Sequence, residues 1–216
     1  MSEYLPLFVA LGALAVLPFV ALMVTSFAKI VIVLGLLRQA LGLQQVPPNM
    51  VLNGIAIVLT LYVMAPVVMD AGDALRSREQ SLSSIKKLED LGGMYDSVAA
   101  PLRGFLLKHS ETRDRKFFLR TAARLWPAER ARNLQEEDML VLVPAFTVSE
   151  LSEAFRIGFI LFLAFLIVDL IVANVLVAMG MSMVSPTLIS VPFKLLLFVL
   201  LDGWARLLQG LVLGYQ

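Results

Sequence analysis

Residues 144–204 read PAFTVSELSEAFRIGFILFLAFLIVDLIVANVLVAMGMSMVSPTLISVPFKLLLFVLLDGW, and this stretch decides the fold. Two long apolar runs flank a short segment rich in Met, Gly, Ser and Pro, the pattern of a helical hairpin with a broken tip. The few charges sit where a lipid-facing helix would not place them. Asp169 lies inside the first run, Lys194 opens the second and Asp202 closes it. An ionisable group in hydrocarbon is costly, so each is expected to face a bundle interior, a partner or a watery path.

Composition widens this reading to the whole chain. Over 216 residues, 59% are hydrophobic and 16% charged, beyond what a soluble globule of this size carries. The mean hydropathy is +0.83, and the expected class is an all-α, membrane-associated protein built of helical hairpins. Without cysteine there is no disulfide framework, iron–sulfur cluster or thiolate zinc site. A net charge of +1 gives no reason to expect nucleic acid. The one histidine, His109, lies in the polar middle and reads as a solvated imidazole.

The chain begins MSEYLPLFVALGALAVLPFVALMV without the basic n-region of a secretory signal, and is read as retained. This run continues through Lys29 to Leu43, too long for one span of about 20 residues, so Pro18 or the Thr25-Ser26 pair should break it. Lys29 either snorkels near a helix end or finds a buried partner. Gln44, Gln45, Pro47, Pro48 and Asn49 form a connector, because consecutive prolines cannot continue a helix. Another apolar run follows to Met69, with Thr60 expected to bond to its own preceding turn.

Residues 70–143 change character. Of the 18 Lys+Arg and 17 Asp+Glu, 13 and 12 fall between Asp70 and Leu140. Apolar residues at near-helical spacing, Leu102, Phe105 and Leu106 and then Phe117, Phe118 and Leu125, predict amphipathic helices with breaks at Gly92-Gly93, Pro101 and Trp126-Pro127. The run Arg113–Lys116, RDRK, reads as a solvated face, with phosphate binding as the lesser reading. The organisation is thus an N-terminal apolar hairpin over 1–69, a polar helical insert over 70–143 and a C-terminal apolar hairpin over 144–216, four apolar segments in all. Charge around the short connections places them in the cytoplasm and the insert on the periplasmic side. Thr147 or Ser149 should cap the helix that follows, with Glu150 and Glu153 in its first turn and Arg156 paired to Glu153.

Several long ordered motifs resemble one family. They are TSFAKIVIVLGLLRQALGLQQVPPNMVLNGIAIVLTLYVMAPV in the first half, then PAFTVSELSEAFRIGFILFL, DLIVANVLVAMGMSMVSP and ISVPFKLLLFVLLDGW. Together they resemble the FliP/SctR family, membrane components of the export gate of bacterial type III secretion systems, more like the injectisome branch than the flagellar one. The resemblance covers the two ends of the chain and skips the insert. It implies a non-enzymatic pore subunit without cofactor that forms a helical pentamer with subunits of the SctT/FliR and SctS/FliQ types. SctU/FlhB-type and SctV/FlhA-type components are further implied neighbours. The assembly would sit in or periplasmic to the inner membrane, among lipid, and pass unfolded secreted proteins.

The resemblance also implies that Met179, Gly180, Met181, Ser182 and Met183 constrict the conduit. Taken alone, an extended backbone would put all three thioethers on one face, a helix only Met179 with Met183, and methionine that merely fills a packing gap is the plain alternative. Family members commonly carry Met where this chain has Ser182, which would thin or polarise the ring. Asp169 and Lys194 are close to a hairpin's length apart and are expected to pair within one subunit or between neighbours, unless each finds another partner such as Asn174 or backbone. Lys29, Asn174 and Asp202 join them as candidate assembly residues. A small transporter or ion channel with midplane charges is the competing class. No HExxH, GxSxG, Walker lysine or metal-suited carboxylate cluster is present to suggest an enzyme.

Overall fold

The computed structural model describes residues 5–79, 89–181 and 183–216. All its regular elements are helices: α1 Leu5–Met23, α2 Phe27–Ala40, α3 Asn49–Glu79, α4 Glu89–His109, α5 Thr112–Leu125, α6 Ala128–Ala131, α7 Met139–Ala178, α8 Pro186–Leu200 and α9 Gly203–Leu213. Two of them, over Asn49–Ser77 and Met139–Ala178, are long and apolar enough to cross a membrane. Up to four spans result if Leu14–Met23 with Phe27–Ala40, and α8 with α9, each count as one broken span.

Contacts divide the chain into two compact units, Met1–Ala28 with Leu61–Glu150, and Lys29–Thr60 with Leu151–Gln216. This division differs from the one composition suggests. Helices α3 and α7 run on through the changes of polarity near residues 70 and 144, since a backbone ladder does not stop where side chains become polar. The expected caps Thr147 and Ser149 therefore lie within α7, where Thr147 donates to Val143 O at 2.8 Å and the Ser149 oxygen, its proton given to the Asp114 carboxylate, lies 2.9 Å from Ala145 O. Asp138 is the true start: its carbonyl accepts the first N–H groups, from Val141 and Leu142. Pro144 is carried inside the helix, and Glu150 and Glu153 accordingly lie beyond its first turn. The expected Arg156–Glu153 pair forms at 2.9 Å, and Thr60 bonds to Ala56 O at 2.7 Å as expected.

The first unit is built around Leu106, Leu142 and Phe146, all fully buried, with the Phe105 and Phe146 rings 5.6 Å apart. Helix α1 passes through Pro18 and ends before Thr25 and Ser26, the second of the two expected breaks. Helix α4 continues through Gly92-Gly93 and Pro101, neither of which breaks it; the break at Trp126-Pro127 is present. His109 is half-buried, with its ring 4.7 Å from that of Phe105, rather than simply solvated. The RDRK run is split in the same way. Arg113 and Lys116 are exposed, but Asp114 is buried against Ser149 and Arg115 donates to Leu107 O and Ser110.

The second unit packs α2 against α7, α8 and α9. Ile30, Val33, Leu34, Leu37 and Ala40 recur at the three- and four-residue spacing of one helix face and are all buried. Leu37, Ala40 and Leu41 close on Phe165 of α7 and Phe198 of α8, whose rings lie 6.3 Å apart. Trp204 meets Phe198 edge-on at 5.4 Å, across the 63° corner between α8 and α9.

Candidate functional site

Both helix ends near the hairpin tip are set by glycine. At the end of α7, Met181 N–H donates to Leu176 O at 2.9 Å and Gly180 N–H to Val177 O at 3.0 Å, with Gly180 at φ +74°. At the end of α2, Leu43 donates to Arg38 O and Gly42 to Gln39 O, with Gly42 at φ +77°. This paired pattern satisfies the last carbonyls of a helix and needs a residue in the left-handed region. A Cβ at Gly180 would meet nothing within 4 Å, whereas one at Gly42 would lie 2.9 Å from Val191 Cγ2. Gly180→Ala should therefore cost about 1 kcal/mol and Gly180→Asn less, from backbone conformation alone. Gly42→Ala should cost more, and Gly42→Asn should not recover that loss, because its Cβ still meets Val191. Thermal unfolding of the four proteins in detergent checks the contrast.

The capped turn sets the tip's shape. Residues 179–181 and 183–185 are neither helix nor strand, and Val184 N–H returns to Met181 O at 3.2 Å. The three methionines are thus not equivalent. Met179 lines an apolar cleft of about 450 Å³ with Ile171, Val175, Ile189 and Phe193, while Met181 and Met183 lie beyond it, and all three are exposed. Ser182 lies outside the described residues.

Directly behind this tip is a buried ionic cluster. Lys194 Nζ donates to Asp169 Oδ2 at 2.7 Å and to Ala40 O at 3.0 Å. Ser190, one turn before Lys194 on α8, donates to Asp169 Oδ1, and its oxygen lies 3.1 Å from Thr187 O. The single hydroxyl proton goes to the carboxylate, the stronger acceptor. Lys194 is 4% exposed and Asp169 23%, so the charges compensate each other largely out of water. The cluster joins three helices through one ammonium. The expected Asp169–Lys194 pair is present within one chain.

The connector lies beside this cluster. A cleft of about 460 Å³ is lined by Gly42, Gln44, Ser185, Thr187, Val191 and Lys194, so the connector faces the loop that leaves the methionine turn. Arg38 holds the connector by donating to Pro47 O at 3.1 Å and to Asn49 Oδ1 at 2.7 Å. The Val46–Pro47 bond is cis, and Gln45 and Pro48 are exposed.

Of the other expected residues, Lys29 is buried with its ammonium 3.7 Å from the centre of the Tyr215 ring, a cation–π contact between α2 and the end of α9. Asn174 and Asp202 are exposed on the single chain and join neither cluster. Asp202 forms the corner before α9 at φ +50°, a conformation that Asp tolerates better than most side chains. Ala40, Ser190 and Tyr215 belong to these clusters without having been expected there. A backbone carbonyl and a serine in an apolar helix carry no sequence signal. Among the described residues no group of three His, Cys, Asp or Glu is placed to hold a metal ion.

This arrangement can hold a hairpin rigidly and present three thioethers at its tip. Residues 10–211 match the FliP family. The chain belongs to that family. This FliP-family chain is 53% identical to "Pathogenicity-related ORF2" of Xanthomonas campestris pv. glycines, over 97% of this chain and 96% of that one. It is 50% identical to "Hypersensitivity response secretion protein HrcR" of Ralstonia nicotianae, over 99% and 98% of the two chains. It is 48% identical to "Yop proteins translocation protein R" of Yersinia pestis, over 100% and 98%. Both ends and the charged insert lie inside these matches, so the likeness extends across the segment that the quoted motifs skip.

Proposed function

We propose that this FliP-family chain is a pore-lining subunit of a type III secretion export gate, in which copies enclose a conduit for unfolded polypeptide and Met179–Met183 form the constriction. The observation that carries the reading is the tip itself. Met181 and Met183 stand exposed on a glycine-capped turn whose supporting helices are tied by the Asp169–Lys194–Ala40 cluster. Several such thioethers around an axis would close a hole to ions and yield to a passing polypeptide, because methionine is unbranched and polarisable. Secretion and translocation in the names of its relatives agree with this role.

The partners are further copies of the chain, five in the expected ring, with SctT/FliR-type and SctS/FliQ-type subunits completing the gate and SctU/FlhB-type and SctV/FlhA-type components beside it. The bacterial inner membrane is its place, with the finished gate displaced to the periplasmic side. Catalysis has no part in this role. Because the chain has no cysteine, Met183→Cys introduces a single thiol. In membranes carrying the whole apparatus, oxidation is expected to link copy to copy through that thiol and to stop secretion until reductant is added. A Met183→Cys protein that stays monomeric on oxidation, with secretion unaffected, would falsify the constriction and favour the transporter reading.

A further inference from the structure

Helix α5 is amphipathic in an uncommon way. Arg113, Lys116, Phe117, Arg120 and Arg124 fall at the three- and four-residue spacings of one face and line an open cleft of about 450 Å³. The opposite face carries buried Asp114 and Ala122. Arg113 has carboxylates beside it, Glu111 at 3.5 Å and Asp114 at 3.4 Å. Lys116, Arg120 and Arg124 have no acidic partner among the described residues. Phe117 is 59% exposed in their midst, and Leu125 is 75% exposed at the helix end next to Trp126. Three uncompensated cations around a bare phenyl ring leave a surface with a strong preference for anions that carry apolar chains.

The neighbours of α5 within its own unit point the same way. Ser149 of α7 accepts Glu111 N–H at 2.9 Å and donates to buried Asp114 at 2.8 Å, so α7 supplies the cap at the start of α5. Two residues earlier, Thr147 Oγ1 lies 3.4 Å from Met23 O at the end of apolar α1. Helix α5 therefore starts where a 19-residue apolar helix, about 28 Å long, ends.

From the uncompensated cations, the exposed Phe117 and the position at the end of α1, we infer that α5 is a binding surface for anionic phospholipid headgroups. Lys116, Arg120 and Arg124 bind the phosphates, and Phe117 enters the acyl boundary. An acidic polypeptide would satisfy the cations but leaves unexplained the exposed Phe117 and the apolar helix that ends beside α5.

The test uses the full chain in nanodiscs, with Trp204→Phe so that Trp126, the other of two tryptophans, is the reporter. Brominated phosphatidylglycerol and brominated phosphatidylcholine serve as quenchers. Each basic residue near an anionic surface enriches it about fivefold, so quenching should favour phosphatidylglycerol by more than about tenfold. Lys116→Gln/Arg120→Gln/Arg124→Gln should bring the ratio near unity. Arg120→Lys/Arg124→Lys should keep it, which separates lost charge from lost structure. Equal quenching by the two lipids in the parent chain, or a preference that survives the triple change, overturns the inference. So does a parent chain unquenched by either lipid whose Trp126 emission responds to added polyglutamate, which would assign the surface to an acidic polypeptide.

Discussion

Replacing Lys194 by methionine is expected to destabilise the protein by about 3–5 kcal/mol and to abolish secretion, because Asp169 is left charged and largely buried without its ammonium. Asp169→Leu should do comparable damage by stranding Lys194. The double change Asp169→Leu/Lys194→Met removes both charges, fills the space with apolar side chains, and should recover most of the stability either single change loses. Ser190 keeps Thr187 O as an acceptor in that protein. Exchanging the charges, Asp169→Lys with Lys194→Asp, should recover much less. Position 194 must donate to Ala40 O, which an aspartate cannot do. Thermal unfolding in detergent, with membrane level as a second readout, gives the double-mutant cycle. A double apolar variant no more stable than either single change would mean the pair does not hold these helices together.

Gly158→Ala should lower stability by about 2 kcal/mol although alanine is the better helix former. A Cβ there would overlap Leu36 Cδ1 and lie 3.0 Å from Leu36 Cβ. Rotating the leucine clears the methyl but cannot move its Cβ, so α7 and α2 must separate. Close approach through a small residue is how helices pack where no hydrophobic force distinguishes neighbour from solvent. Leu36→Ala should therefore relieve Gly158→Ala only in part, and Gly158→Val should cost more than Gly158→Ala. An unfolding temperature for Gly158→Ala equal to or above that of the unmodified chain would show that the helices adjust freely.

The residues differ in how plainly they declared these roles. Asp169 and Lys194 were legible because a lone ion in twenty apolar residues has few physical excuses. The pair's third member was not, since Ala40 contributes only a carbonyl and lies 154 positions from Lys194. Gly42 and Gly180 could have been found, as each follows the last apolar residue of a run. Thr147 and Ser149 misled because a hydroxyl followed by glutamate resembles a helix start, whereas α7 already begins at Met139 and both hydroxyls lie against carbonyls one turn back, Val143 O and Ala145 O. The connector was read correctly from its prolines, but its place beside Ser185 and Thr187 depends on α2 packing against α8, which no local pattern encodes. Helical class was the easiest property to read, because apolar runs of membrane length leave few other ways to satisfy the backbone.

The corner at Asp202 bears on what can surround the last hairpin arm. Helix α8 has 15 residues and a length of about 22 Å, roughly 8 Å short of the hydrocarbon thickness of a bilayer. Helix α9 turns away by 63° and recovers about 7 Å of that depth only by running obliquely. The two together fall only about 1 Å short of that thickness, so mismatch costs no more than a fraction of a kcal/mol. The bend thus matches the arm to a bilayer in depth while setting the exposed Asp202 carboxylate at its corner, where water or a polar side chain is a better neighbour than an acyl chain.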